Sequence, residues 1–197
     1  QIFSTEQWRR ARVYPAREAA PVFADIITAR IRAALGLSAK LLIVDLDNTL
    51  WGGVIGEDGL DGIVIGAPDP RGEAYLELQR YIKELSERGV VLAVCSKNNE
   101  EDARLPFQNH DMMILREDDI SVFRAKWSDK ATGIIEIAET LKLGLESVVF
   151  LDDNPMERDW VRQQLPDVSV VENDGSPASM LNALDRGMYF ENLHLTD

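Results

Sequence analysis

Two aspartates separated by one residue, Asp45 and Asp47, directly follow the apolar run LLIV at 41–44. Side chains alternate along an extended strand, so residues two apart point the same way and both carboxylates face one site. One carboxylate could attack phosphorus while the other transfers a proton, as an aspartyl-phosphate mechanism requires. The pair therefore predicts phosphoryl-transfer chemistry, although aspartates at strand ends also cap turns and helices without any catalytic role.

A second acidic pair, Asp152 and Asp153, follows the apolar run VVFL at 148–151. An anionic nucleophile and an anionic phosphate repel each other, so a hard divalent cation is expected between them. Mg²⁺ prefers carboxylate and carbonyl oxygens, and this pair could complete its ligand shell. Mg²⁺ is therefore the predicted cofactor.

The third cluster contains Cys95, the chain's single cysteine, followed by Ser96 and Lys97 after the run VVLAV at 90–94. A lone cysteine forms no internal disulfide, which favours a reducing compartment, and the cytoplasm is the predicted location. A cysteine that ends a core strand is commonly a small apolar filler. Beside the other two clusters it could instead be a nucleophile toward an acyl phosphate.

The elements that position these clusters follow from hydrophobic patterning. Each cluster follows a short, β-branched-rich run, which is typical of strands buried on both faces of a parallel sheet. Apolar residues at helical spacing predict helices at 73–88, 132–143, 155 to about 165 and 179–185, with a further strand at 168–171. Alternating strands and helices predict a doubly wound α/β sheet, in which ligands bind beyond the carboxyl ends of the strands. The three clusters are therefore expected at one edge of the sheet.

Two regions differ from this pattern. Residues 1–36 carry six arginines against three acidic residues, the reverse of the whole chain, and predict an Arg-rich helical extension ahead of a core at 37–197. Six of the thirteen glycines fall within 52–66 among β-branched residues. This composition predicts a β-hairpin flap at about 51–66 that could close over the site.

Composition excludes several classes of function. With 197 residues, of which 45% are hydrophobic and 28% charged, the chain can form one core domain and is too apolar for a disordered tail. A net charge of −13 argues against nucleic-acid binding, which needs a basic face. No apolar run approaches the roughly 18 residues of a membrane span. Neither nucleic acid nor a membrane is a predicted partner.

The motif DLDNT at 45–49 resembles the first motif of the haloacid dehalogenase (HAD) superfamily, a set of Mg²⁺-dependent phosphatases and phosphotransferases with an α/β core. The longer string NTLWGGVIGEDG at 48–59 resembles the FkbH-type branch of that superfamily. Three further strings resemble the same branch: SKN at 96–98, FRAKWSDK at 123–130 and DDNPMER at 152–158. The resemblance runs from about Leu41 to Asp197 and implies a HAD-like fold with no large cap.

The resemblance implies a catalytic role for each matched residue. Asp45 would be the nucleophile and Asp47 the general acid and base. Thr49 and Ser96 would hold the phosphate oxygens, and Lys130 would neutralise phosphate charge in the catalytic site.

The resemblance also implies the metal ligands. Asp152 and Asp153 would hold Mg²⁺ together with Asp45 and the backbone carbonyl of Asp47. Of the second acidic pair, Asp153 is the favoured direct ligand.

Cys95 distinguishes the subtypes within this branch. FkbH-type proteins with the string CSKN resemble members that load three-carbon units for polyketide assembly. Those members take 1,3-bisphosphoglycerate, form a glyceryl thioester on the cysteine, remove the remaining phosphate, and pass the acyl group to the phosphopantetheine arm of an acyl carrier protein. His110 matches a histidine that the family carries and is the candidate base for the thiol. The resemblance therefore implies a glyceryl transferase/phosphatase.

Two alternatives stay open on the sequence. The first is a simple HAD-type phosphatase that acts on a small phosphate ester or a phosphoprotein, with Cys95 a bystander. The second is a non-catalytic interaction module that keeps the fold. A covalent acyl adduct on Cys95 would distinguish the glyceryl transferase from both alternatives.

Overall fold

The computed structural model describes residues 3–11 and 14–192 of the chain. The β-strands among these residues are β1 Leu41–Val44, β2 Val91–Ser96, β3 Val122–Ala125, β4 Val148–Leu151 and β5 Ser169–Val170. The α-helices among them are α1 Thr5–Ala11, α2 Ala20–Ala34, α3 Ile55–Gly62, α4 Pro70–Glu87, α5 Glu100–Asn109, α6 Lys130–Leu141, α7 Pro155–Gln164 and α8 Pro177–Gly187. One-turn 3₁₀ helices lie at Arg17–Ala19, Glu117–Asp119 and Leu145–Ser147.

The five strands form one parallel sheet with the order β3-β2-β1-β4-β5. Val44 at the end of β1 is paired with Val94 of β2 on one side and with Leu151 of β4 on the other. Because β1 and β4 end at the same level and β2 runs two residues further, the polar residues at these strand ends meet at one edge of the sheet. The predicted doubly wound α/β fold is confirmed.

The core explains why β1 is a continuous apolar run. Its four residues are fully buried, so both faces of the strand are covered. On one face, Ile134 and Ile137 of α6 and Val161 of α7 belong to the same buried cluster as Ile43 and Phe150. Burying one such side chain stabilises the fold by roughly 1.5–3 kcal/mol. This packing fixes the sheet edge on which the polar clusters lie.

Side-chain caps determine where the two helices beside this edge begin. The Asp129 carboxylate accepts the backbone N–H of Thr132 at 3.0 Å and starts α6. The Asn154 side chain accepts the N–H of Met156 at 3.0 Å and starts α7, which has Pro155 in its first turn. A capping side chain satisfies an amide that the first helical turn leaves unpaired. Both helices therefore begin at the carboxyl edge of the sheet.

Contacts divide the chain into two compact units, residues 39–187 and residues 1–38 with 188–197. The first unit contains the whole sheet and helices α3–α8, and the second contains α1 and α2. The separate extension at 1–36 stays a prediction, and one of its arginines, Arg12, lies outside the described residues. Among the helices of the described chain, none is both long and apolar enough to cross a membrane.

The prediction of a β-hairpin at 51–66 is wrong for most of that segment. Gly52 and Val64 form one antiparallel bridge, with backbone hydrogen bonds of 3.0 and 2.8 Å, but the residues between them form helix α3. The Asp58 carboxylate accepts the N–H of Val54 at 2.7 Å, just ahead of that helix. This local bond favours a helical turn over a strand. Glycine content alone does not distinguish these outcomes.

Candidate active site

A tight turn after β1 presents the first acidic pair. The carbonyl of Leu46 accepts the N–H groups of both Thr49 and Leu50, at 3.0 and 2.8 Å. Asn48 has a φ of 56°, the left-handed conformation that asparagine tolerates better than most residues, and its side-chain oxygen accepts the N–H of Gly53 at 3.0 Å. The chain therefore turns back at once and leaves the aspartates at 45 and 47 at the sheet edge.

Three carboxylates converge beyond the ends of β1 and β4. Asp45, Asp152 and Asp153 each offer one oxygen, and these oxygens lie within 4.8 Å of one another. Oδ1 of Asp45 and Oδ2 of Asp152 are buried and accept no hydrogen bond of good geometry. Both oxygens contact the ammonium of Lys130, at 2.6 and 3.2 Å, but one ammonium does not compensate three clustered carboxylates. The donor set is made of hard oxygens, so the residues present fit the predicted Mg²⁺.

Lys130, the first residue of α6, lies behind these carboxylates. Its ammonium is 2.6 Å from Oδ1 of Asp45 and 3.2 Å from Oδ2 of Asp152, and it donates to the carbonyl of Cys95 at 2.8 Å. Only 3% of the lysine is exposed. One ammonium among three carboxylates leaves the cluster with a charge of −2 if all are ionised. Lys130 therefore provides part of the positive charge that the site needs, and a divalent cation would provide the rest.

The charges in this cluster shift one another's protonation. Burial raises the pKa of Asp152 to about 7, against the opposing effect of Lys130. Burial also raises the pKa of Asp153, and the negative charge of Asp45 adds to that rise. Burial lowers the pKa of Lys130, but Asp45 and Asp152 outweigh it and the net shift is upward. The lysine therefore stays charged while the carboxylates are short of compensating charge.

The Asp47 carboxylate lies outside the convergent group and is held by three N–H donors. Its Oδ1 accepts the indole N–H of Trp51 and the backbone N–H of Ile55, each at 3.0 Å. Its Oδ2 accepts the side-chain amide of Asn98 at 2.7 Å. The Asp47 carboxylate is thus held apart from the three convergent carboxylates, an arrangement that suits a proton-transfer group. Ligation through its backbone carbonyl stays a prediction.

Asn98 was not among the residues that sequence reasoning proposed for the site. It is 4% exposed, and its amide nitrogen also lies 3.3 Å from the hydroxyl of Ser96, at the end of β2. The signal that could have found it is the string SKN at 96–98, because residues two apart after a strand point the same way. The predicted phosphate-binding Ser96 is thereby brought to the same edge as Asp47.

Thr49 contacts the second acidic pair. It is fully buried, its hydroxyl oxygen accepts the N–H of Asp153 at 3.1 Å, and it contacts the Asp153 carboxylate at 3.4 Å. The predicted phosphate-binding role of Thr49 stays a prediction. Thr49 positions Asp153, because the tight turn after β1 directs the threonine inward rather than toward the open edge.

Cys95 is buried in the core instead of standing at the site. It is 4% exposed and shares a hydrophobic cluster with Ile134 of α6. A side-chain carbon added at Gly133 would lie 2.6 Å from the sulfur, so α6 packs directly on the thiol. Burial raises the pKa of Cys95 to about 12, which keeps the thiol neutral. Strand β2 continues to Ser96, so Cys95 lies within the strand and faces the core rather than the open edge.

His110 is not placed to activate the thiol. It follows the last residue of α5, and its Nδ1 accepts the N–H of Met112 at 3.3 Å. The ten residues of α5 span about 15 Å, and they separate His110 from the carboxyl end of β2. The charged groups that act most strongly on the Cys95 thiol are Lys130, Asp45, Asp152 and Arg124. The predicted pairing of His110 with Cys95 is therefore corrected.

A buried arginine fixes the loop that carries the second acidic pair. Arg158 of α7 donates from Nη1 to the carbonyls of Asp152 and Asp153, at 3.0 and 2.7 Å. Its Nη2 donates to the carbonyl of Asn173 at 2.9 Å, and the Asn173 side chain donates to the Asp152 carbonyl at 3.1 Å. Arg158 lies in the string DDNPMER, but nothing in the sequence marks Asn173. These contacts hold the acidic loop in one conformation.

Comparison with solved structures adds a relative with the same fold. The chain is similar to the N-terminal part of the protein BF1531 from Bacteroides fragilis, which contains a phosphatase domain and was crystallised with Mg, at 41% identity and a TM-score of 0.92. The match covers 97% of this chain and 51% of that one, so this chain spans about half the length of that relative. No family model and no curated protein matches the chain.

More distant similarities have lower scores. A HAD family enzyme of Bacteroides thetaiotaomicron, bt-2542, in complex with magnesium and inorganic phosphate, matches at 12% identity and a TM-score of 0.49, over 68% of this chain and 94% of that one. The cobalt-bound deoxy-D-mannose-octulosonate 8-phosphate phosphatase of Haemophilus influenzae matches at 17% identity and a TM-score of 0.48, over 77% and 90%.

The sheet order, the acidic residues after β1 and β4, and the similarity to a phosphatase domain of known structure agree with one another. The chain therefore has a HAD-like α/β fold and is similar, over nearly its whole length, to a phosphatase domain that was crystallised with Mg.

Proposed function

We propose that this chain is a Mg²⁺-dependent phosphatase that hydrolyses a phosphate monoester through a phosphorylated Asp45. The observation that carries the proposal is the convergence of three carboxylate oxygens within 4.8 Å of one another beside a buried lysine. Asp45, Asp152 and Asp153 would hold Mg²⁺, which supplies positive charge to polarise the phosphoryl oxygens. The Mg in the related phosphatase domain supports the same choice of ion.

In the first half-reaction, a carboxylate oxygen of Asp45 attacks phosphorus and the bond from phosphorus to the leaving oxygen breaks. Asp47 donates a proton to that oxygen, so the product leaves as a neutral alcohol. The hydrogen bonds from Trp51 and Asn98 hold Asp47 in the orientation that proton donation needs. Lys130 stabilises the negative charge on Asp45 before the attack and again when the carboxylate is regenerated.

In the second half-reaction, Asp47 takes a proton from water, and the resulting oxygen attacks phosphorus of the phosphorylated Asp45. Inorganic phosphate leaves and the Asp45 carboxylate is regenerated. A placed carboxyl contributes roughly 10²–10⁴ to the rate of such proton transfers. Because one group acts as acid and then as base, the cycle ends with Asp47 protonated as it began.

The test is release of inorganic phosphate from p-nitrophenyl phosphate and small sugar phosphates, with Mg²⁺ and with a chelator. The proposal expects activity that disappears with the chelator and in Asp45→Asn. Asp61→Asn removes an exposed carboxylate on α3 and should keep full activity. Phosphate release by Asp45→Asn at the wild-type rate would contradict the proposal.

The resemblance to FkbH-type proteins extends this proposal to glyceryl transfer from 1,3-bisphosphoglycerate through Cys95 to an acyl carrier protein. The sequence strings support that extension, while the buried thiol and its raised pKa oppose it. The contacts at the site favour the simple phosphatase. Intact mass after incubation with bisphosphoglycerate separates the two, because only glyceryl transfer gives an adduct that Cys95→Ala abolishes.

A further inference from the structure

An ion pair joins the loop after β2 to the helix after β4, on the two sides of the end of β1. Lys97 follows the last residue of β2, Glu157 lies in the first turn of α7, and the lysine ammonium contacts the glutamate carboxylate. In the sheet, β1 lies between β2 and β4, and α7 follows β4. The pair therefore connects the two sides of the strand end at which Asp45 stands.

The contact with Glu157, across the end of β1, places the Lys97 ammonium at the rim of the site. On either side of Lys97, the Asn98 amide donates a hydrogen bond to the Ser96 hydroxyl, and it also donates one to Asp47. The lysine side chain is 38% exposed and that of Glu157 is 18% exposed, whereas that of Lys130 is 3% exposed and contacts two carboxylates. Lys97 is thus a partly exposed cation at the same edge of the sheet as the reacting groups.

The electrostatics of the chain give this cation a specific use. The chain carries a net charge of −13, and its site is rich in carboxylates, so an anionic substrate is repelled as it approaches. A lysine ammonium acts as a point charge that a carboxylate or a phosphate can bind. A partly exposed ion pair contributes little to stability, so a substrate anion can replace Glu157 at small cost.

We propose that Lys97 binds a second anionic group of the substrate, and that Glu157 occupies the lysine until that group displaces it. The substrate class is then a phosphate monoester that carries a further carboxylate or phosphate near the ester. This inference rests on the proposed function, because it assigns the substrate of that same site.

Two probes of equal length test it: 2-phosphoglycolate, which ends in a carboxylate, and 2-hydroxyethyl phosphate, which ends in a neutral hydroxymethyl group. The wild type should prefer phosphoglycolate in kcat/KM. Lys97→Met should reduce that preference about tenfold, the effect of losing a hydrogen bond to a charged group. Glu157→Gln should increase it, because the lysine loses its internal competitor.

Lys83→Met is the matched control. The side chain of Lys83, on α4, is 33% exposed and pairs with Asp119 in a 3₁₀ turn. This pair lies away from the edge of the sheet that carries the site. This variant should keep the wild-type ratio of the two kcat/KM values. An equal loss for both probes in Lys97→Met, or a wild type without preference, would overturn the inference while the proposed phosphatase stands.

Calorimetric binding of the same probes to Asp47→Asn with Mg²⁺, which keeps the three convergent carboxylates and lacks the proposed proton donor, tests the inference without turnover. Tighter binding of phosphoglycolate that Lys97→Met abolishes supports it, even if the wild type hydrolyses neither probe and the proposed function fails. Equal affinities for the two probes, or no binding of either, contradict it.

Discussion

The side-chain amide of Asn98, in the loop after β2, donates a hydrogen bond of 2.7 Å to Oδ2 of Asp47, in the loop after β1. The other oxygen of Asp47 accepts two further N–H donors, so the carboxyl is fixed on both sides. A proton-transfer group must be held within hydrogen-bond reach of the reacting oxygen. Asn98 therefore positions the proposed acid and base.

Asn98→Ala should lower kcat for Mg²⁺-dependent phosphate release about 10- to 100-fold, because a hydrogen bond to a charged group is lost. The measurement is steady-state phosphate release at saturating substrate and Mg²⁺. The affinity for Mg²⁺ should change little, since Asp47 lies outside the convergent carboxylates.

Asn182→Ala is the control for that substitution. Asn182 is exposed on α8 and donates to the carbonyl of Ala178 in its own helix at 2.8 Å. Its replacement should leave kcat at the wild-type value. Wild-type kcat in Asn98→Ala would show that Asp47 keeps its orientation without the amide.

Lys130→Met should destabilise the metal-free protein by about 3 kcal/mol, because removing one partner leaves buried charges uncompensated. Asp45 and Asp152 lose the ammonium that lies 2.6 and 3.2 Å from them. Urea unfolding with a chelator measures the loss, and saturating Mg²⁺ should recover part of it by supplying positive charge to the same carboxylates. Lys126→Met, at an exposed lysine after β3, should change the free energy of unfolding by less than about 0.5 kcal/mol. A chelated Lys130→Met protein as stable as the wild type contradicts the prediction.

Because Cys95 is buried, the free energy of unfolding is expected to fall as the pH rises above 9. Burial raises its pKa from 9.0 to about 12, so between these values the folded protein holds a proton that the unfolded chain has lost. The contribution of the thiol to stability is complete below pH 9 and decreases as the pH rises toward 12, by at most about 1.4 kcal/mol per pH unit.

Urea unfolding of the wild type and of Cys95→Ala, between pH 8 and 10.5 in reducing buffer, isolates this effect from other titrating groups. The advantage of the wild type should shrink above pH 9. A constant difference across the series would mean that the folded thiol titrates normally, and would make Cys95 available as a nucleophile.

Sequence reasoning located β1 and β4 at their observed bounds, because strands buried on both faces must be continuous apolar runs. It missed β3 and α5. Strand β3 is at the edge of the sheet, and three of its four residues, including Arg124, are only half-buried. Helix α5 has three acidic residues in its first turn and Pro106 inside it, so its apolar periodicity is weak. In both, tertiary packing outweighs the local pattern.

In the site, too, some positions follow from local sequence patterns and others depend on tertiary contacts. The convergence of Asp45 with the pair after β4 could be predicted, because crossover helices place parallel strand ends at one edge. The role of Cys95 could not, since it depended on whether β2 ends at residue 94 or 96. Because the strand continues through Cys95, its side chain joins those of Ala93 and Val91 on the face that α6 covers. The positions of Asn98 and Asn173 depend on loop contacts for which the sequence has no periodic signal.

Two side chains, Arg158 and Asn173, form a clamp that holds the loop with Asp152 and Asp153 in place. Arg158 donates to the carbonyls of Asp152 and Asp153, and Asn173 donates to the first of these. Groups that orient metal ligands typically change metal affinity or activity 10- to 100-fold when removed, so Arg158→Lys and Asn173→Ala should each weaken Mg²⁺ binding by about that factor. A lysine cannot replace the arginine here, because its single ammonium does not reproduce donors spread over a planar fork. Calorimetric titration with Mg²⁺ gives the affinity directly. Arg162→Lys, at an exposed arginine on the same helix that pairs with Asp159 and Glu172, should bind Mg²⁺ like the wild type. Wild-type affinity in both clamp variants would mean that the acidic loop keeps its conformation without them.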